Sequence, residues 1–176
     1  MPADVNTAFD VAFYFEDIAL NDHEYLQPMK LQRLLFLAQA YYAVAFKGRQ
    51  LMPAVFVADE LGPIEPNIYI AFTKGRPDVD VDLFMPHDIT TFLDNIWKRF
   101  GPLKMDRLNE LVKGTVAYRN ARERGDRATI SLEEMAKSFI QGTDAPSPEH
   151  VVKPKILVTQ SGKPVTVKAW VPGTKP

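Results

Sequence analysis

Pro28-Met29-Lys30-Leu31-Gln32-Arg33-Leu34-Leu35-Phe36-Leu37-Ala38-Gln39-Ala40-Tyr41-Tyr42-Ala43-Val44-Ala45-Phe46 is the stretch on which the fold turns. Pro28 suits the first position of a helix, where its missing N–H costs nothing. Leu31, Leu34, Leu35, Ala38, Tyr42 and Ala45 recur at helical spacing, and Leu37, Tyr41 and Val44 make a second face apolar as well. A helix that is apolar nearly all round has to be covered on several sides. The spacing therefore predicts a central buried helix over Pro28–Phe46, ended by Gly48 as a left-handed cap.

Weaker helical patterns flank it. Phe9, Ala12, Phe13 and Leu20, widened by Val11, Phe15 and Ile18, predict a first helix from about Asp4 or Asn6 to Leu20. Downstream, Pro53–Ala58 reads as a short strand or extended edge, and Leu61–Pro66 as a rigid Gly-Pro turn. Short helices are then expected from Pro66 to about Thr73, over Ile89–Phe100 and Asp106–Lys113, and for a turn or two within Thr115–Arg124. Ser131 and Glu134 have capping-box spacing and predict a last helix to Gln141.

After Gly142 the composition shifts. Prolines at 146, 148, 154, 164, 172 and 176 forbid a long helix. Lys155–Thr159 and Pro164–Val171, separated by Gln160-Ser161-Gly162-Lys163, read as a β-hairpin that needs a body or a partner to dock on. The expected architecture is mainly α: one compact helical domain, residues 1–142, around the central helix, with a Pro/Lys-rich tail, 143–176, carrying a short C-terminal β-hairpin.

Composition narrows the function. With 46% hydrophobic and 24% charged residues the 176-residue chain is an ordinary globular one. The absence of cysteine excludes disulfides, thiol nucleophiles and thiolate zinc sites. No basic stretch followed by an apolar run opens the chain and no 18-residue apolar run follows, so neither a signal peptide nor a membrane span is expected, and a cytoplasmic place is. From Thr143 onward five lysines face Asp144 and Glu149, a net of +3, which leaves −4 on the rest of a chain whose total is −1. An acidic body gives no general pull toward nucleic acid.

No catalytic constellation is visible. His23, His87 and His150 have no second ligand at metal-binding spacing, and no nucleophile elbow or phosphate-binding glycine loop is present. Asp78, Asp80 and Asp82 alternate like a calcium loop but lack its glycine and distal glutamate. Neither an enzymatic reaction nor a metal or other cofactor is therefore expected. Arg119–Arg124, the most basic run, reads as a helix end complementing the C-terminal dipole.

Met29–Tyr42, together with Gly62-Pro63-Ile64-Glu65-Pro66 and Tyr69, resembles the two motifs of the Panacea domain in order and separation. That family includes SocA-like antitoxins and phage-associated GepA-like proteins. The chain departs from the pattern at Asp59, where relatives often carry an aromatic residue, and at Lys113 and Ala117-Tyr118, where a histidine and a Pro-Trp pair are common. The resemblance covers roughly residues 5–142. It implies a cytoplasmic antitoxin that neutralises a cognate toxin by direct binding, in some relatives as an adaptor delivering the toxin to an ATP-dependent protease.

Within these motifs, Lys30, Arg33, Gln39, Tyr42, Glu65 and Tyr69 are the candidate partner-binding residues, with Lys30, Arg33, Glu65 and Tyr69 expected to face solvent. Gln32, Gly62, Pro63 and Pro66 are the structural set. The paired glutamines Gln32 and Gln39, seven apart on one face, are expected to reach the carbonyls of the Gly62–Pro66 turn. The alternative is a DNA-binding regulator of its own operon, which needs Arg119–Arg124 and the basic tail to form one patch. A phage-related enzyme with a loop-borne site is a third reading.

Overall fold

Leu31 to Ala43 are buried without a break along α2 (Pro28–Ala45), so the central helix is enclosed on every side. The computed structural model describes residues 2–80, 84–140 and 145–152, and the backbone of two strands at 156–158 and 164–166. Around α2 lie α1 (Ala8–Asn21), α3 (Pro66–Phe72), α4 (His87–Phe100), α5 (Met105–Lys113), α7 (Leu132–Ile140) and α8 (Pro148–Val151). Between α5 and α7 runs α6 (Val116–Arg124), packed on α5, α7 and the sheet. No helix among the described residues is long and apolar enough to cross a membrane.

The first helix begins later than its pattern suggests, because Thr7 caps it. The Thr7 N–H donates to the Asp10 carboxylate at 2.8 Å and the Asp10 N–H donates to Thr7 Oγ1 at 3.2 Å, a reciprocal box that satisfies two orphan donors. At the other end of the chain the Ser131–Glu134 box forms as its spacing predicts, with Ser131 and Glu134 bonded in both directions.

Leu35 is fully enclosed. Leu35→Ala should lower stability by about 2–5 kcal/mol through lost burial and an unfilled cavity. A urea midpoint that barely moves would contradict the enclosure of α2.

Two β-elements differ from the sequence reading. The Gly62–Ile64 segment is not a loop but strand β2, paired antiparallel with β1 (Phe56–Asp59) through a two-residue turn, Glu60–Leu61. Pro63 is tolerated there because β2 is an edge strand, where a missing N–H breaks no ladder. The other side of β1 pairs with β3 (Thr129–Ile130), giving the order β2-β1-β3. The principal sheet is thus central and three-stranded, whereas the sequence pattern puts the paired strands at the C-terminus. There, β4 (Ile156–Val158) and β5 (Pro164–Thr166) pair antiparallel, with Leu157 opposite Val165. The expected Gln160–Lys163 turn lies outside the described residues.

The body also extends past the predicted boundary at Gly142, itself outside the described residues. Segment 145–152 lies on the helices: Val151 is buried, and the Pro146 carbonyl accepts the Tyr41 hydroxyl at 2.6 Å. A proline-rich composition marks where a long helix stops, but it does not stop a short helix from packing.

Candidate protein-binding site

The site builds from the β1–β2 hairpin, whose carbonyls are gripped by side chains from three helices. Arg122 on α6 donates to Ala58 O at 3.1 Å, and the Tyr118 hydroxyl donates to Asp59 O at 2.7 Å. On α5, Lys113 donates to Glu60 O at 3.1 Å. From α2, Arg33 donates through Nη1 to Pro63 O at 3.0 Å and through Nη2 to Leu61 O, while its Nε reaches Asn109 Oδ1 at 2.8 Å. Asp59 closes the tip: one carboxylate oxygen accepts the Leu61 N–H at 3.0 Å and the other pairs with Arg127 at 2.9 Å. A hairpin held at so many points presents the next element of the chain, α3, rigidly.

Gln32 completes the join. Its Oε1 accepts the Glu65 N–H at 2.7 Å, whereas its buried Nε2 finds no acceptor among the described residues. The expectation that glutamines hold the turn is met by Gln32 through an N–H rather than a carbonyl. Gln39 goes elsewhere: its amide donates to Met52 O and accepts from Met52 N, both at 3.1 Å, so it pins the segment after α2. Of the Gly62–Pro66 carbonyls expected to bind the glutamines, that of Pro63 is bound by Arg33 instead.

Four of the six candidate binding residues are therefore not on the surface. Arg33 is 1% exposed, because the hairpin folds over the polar edge of α2. Burial pulls its guanidinium down to about 10, still fully charged at neutral pH. Gln39 is buried by its bonds to Met52. Tyr42 is core: its hydroxyl donates to Asp4 at 2.6 Å and its ring stacks on Phe46 and meets Phe92 edge-on. Glu65 is 3% exposed and caps α3, accepting the Ile68 N–H at 2.7 Å and the Asn67 amide at 3.1 Å. Lys30, 3.9 Å from Glu24, and Tyr69 keep partial access to solvent. Beside Tyr69, Ile70 is 71% exposed, an apolar residue that the sequence reading gives no role. Its signal is present in the spacing: Ile68 and Ile70 cannot share one face of a helix.

The structural set behaves differently. Gly62 has φ +129° and the Arg33 guanidinium fills the place a Cβ would take, so the position favours glycine. Pro66 starts α3 at its first position.

Elsewhere, chemistry stays thin. Among the described residues no group of three His, Asp or Glu side chains is placed to hold a metal. His150 in α8 pairs with Ser147, the residue just before that helix, at 2.9 Å, and His23 takes a positive φ in an exposed turn. The arginines at the end of α6 and just beyond it are engaged internally: Arg122 with Asp126 at 2.8 Å, Arg124 with Glu134 at 2.7 Å, Arg127 with Asp59. Arg124 also donates to Thr129 O at 2.7 Å, covering the open edge of β3.

The Arg124 bond, with the Ser131 donors, holds the Glu134 carboxyl down at about 2. Since its folded value lies below the unfolded one, its contribution is present above about pH 4.5 and is lost as pH falls toward about 2. Glu134→Gln should flatten the acid limb of the stability curve over that window, by a modest amount because the pair is solvent-screened. Identical acid limbs for the two proteins would show that the pair does not form in solution.

No protein-family model, no curated protein and no solved structure matches this chain.

Proposed function

We propose that this chain is an antitoxin-type binding protein, which neutralises one partner toxin by direct contact through the α3 face. The observation that supports this reading is the interlock of the two Panacea-like motifs. Gln32 and Arg33 of the first hold the Leu61–Glu65 backbone of the second, and so fix α3 with Ile70 and Tyr69 turned outward. An exposed isoleucine beside a half-buried tyrosine on a pre-organised helix is the kind of anchor that dominates interface energies. Adaptor delivery of the captured toxin to an ATP-dependent protease is the finer form of the same reading. The regulator reading finds less support, because Arg122, Arg124 and Arg127 are already engaged with carboxylates.

Coexpression with the product of the neighbouring reading frame should restore growth that this product alone suppresses. Ile70→Asp should lose at least about tenfold in pull-down affinity with an unchanged melting curve, since a charge in an apolar anchor weakens association rather than the fold. Full capture by Ile70→Asp would place the interface elsewhere, and tight operator binding without a protein partner would favour the regulator.

A further inference from the structure

Beside α3, on the side where α1 begins, lies a groove of about 300 Å3 lined by Ala8, Phe9, Pro53, Ile68 and the polar rim of Asn6, Thr7 and Asn67, with Glu65 also in its lining. Glu65 is the one charged residue of this lining. It is buried, yet no lysine or arginine among the described residues lies within ion-pair distance of its carboxylate. A carboxylate has about four acceptor positions, and here the Ile68 N–H and the Asn67 amide occupy two. The charge of Glu65 is met by the N-terminal end of α3 but by no cation among the described residues, and an apolar stem that ends in a cation complements both this carboxylate and the apolar part of the groove.

We infer that the groove between the start of α1 and α3 receives a basic side chain, lysine or arginine, from the protein partner. This rests on the protein-binding reading and deepens it, since it names the chemistry that the partner must bring next to the Ile70 face. The capping role of Glu65 explains why an acid sits there, but a capping oxygen alone is equally well supplied by an uncharged residue. The electrostatic setting points the same way. The next pocket, which shares Asn6, is lined by Asp4 and Asp10, and the body as a whole carries the acidic excess. Asp4 is already paired with Arg49 and Asp10 caps the start of α1, so the attraction for a cation arriving here comes from Glu65 and the general acidic excess.

The test uses the full chain and two short peptides, acetyl-Ala-Ala-Lys-Ala-Ala-amide and its norleucine analogue, which keeps the stem and lacks the charge. Titration followed by amide NMR should move Asn6, Phe9, Asn67 and Ile68 with the lysine peptide, and at least about tenfold more weakly with the norleucine peptide. Glu65→Gln keeps an oxygen for the Ile68 N–H, so the rest of the spectrum should hold while the lysine preference disappears. Should that variant unfold, Asn6→Lys brings a cation to the rim without touching the cap and should compete with the peptide. Equal binding of the two peptides, shifts centred elsewhere, or no shifts up to about 10 mM peptide would overturn the inference, because even millimolar affinity is readable there. Lysine-peptide binding without capture of the neighbouring gene product would keep the groove and sink the antitoxin reading. Capture of that product undiminished by Glu65→Gln would do the reverse.

Discussion

Gly62→Val should unfold the protein or leave it at the edge of stability, with a loss of about 3–5 kcal/mol from two separate costs. The first is conformational. At φ +129° a β-branched residue is a genuine outlier, which costs on the order of 1–3 kcal/mol wherever the surroundings hold it there. The second is steric: a Cβ at this position would sit 2.6 Å from Arg33 Nη2 and 2.7 Å from Arg33 Cζ. The guanidinium cannot retreat cheaply, because withdrawing it strands the carbonyls of Leu61 and Pro63. Gly62→Ala isolates the contribution of the β-branch, since alanine keeps the clash and part of the strain without it. Urea unfolding of both variants is the measurement. A Gly62→Val midpoint near that of the parent would mean that the hairpin is not clamped by Arg33 in solution.

The central helix is legible in the sequence because its signal is long and redundant. An apolar surface on two faces of Pro28–Phe46 has one physical consequence, enclosure, and the burial of Leu31 to Ala43 follows from it. The Ser131–Glu134 box is legible for a similar reason, since capping is local chemistry at fixed spacing. The elements hidden from the sequence are decided by distant contacts. Strand β3 is two residues long and exists only because Phe56 and Val57 lie beside it, and no two-residue pattern carries that information. Gly62–Ile64 reads as a turn because glycine and proline punctuate loops. An edge strand tolerates both, and which edge is free depends on the sheet order.

The site differs from its sequence reading more instructively than the fold does. Charged side chains on a helix or in a turn are assigned outward by default, which puts Arg33 and Glu65 in solvent. Yet the same sequence argues that α2 is covered all round, and a helix covered all round has no exterior for Arg33 to occupy. The consistent reading is that a buried arginine needs several acceptors, and a Gly-Pro hairpin, with carbonyls its proline cannot pair, supplies them. Ile70 escapes notice for the opposite reason: an apolar residue in a short helix is assigned inward by default, although Ile68 already fills that direction.

Arg33→Glu, which on a helix exterior would alter association alone, is expected to act on the fold and to cost about 3–5 kcal/mol, as breaking a buried charged network does. Arginine supplies donors to Leu61 O, Pro63 O and Asn109 Oδ1; a carboxylate supplies none and sets its own lone pairs against two carbonyls. The introduced acid should therefore be driven toward its protonated form. With its folded pKa raised above the unfolded one, its destabilisation grows as pH rises, so the deficit relative to the parent should be smaller at about pH 5 than at about pH 7.5. Arg33→Met provides the comparison. It removes the charge and the donors but keeps an apolar stem, and should cost about 1–3 kcal/mol, the usual penalty for stranded buried acceptors, with no such pH dependence. If Arg33→Glu melted like the parent and merely lost its partner, the guanidinium would have to lie outside the hairpin. The rigid presentation of α3, on which the binding proposal depends, would then lose its physical cause.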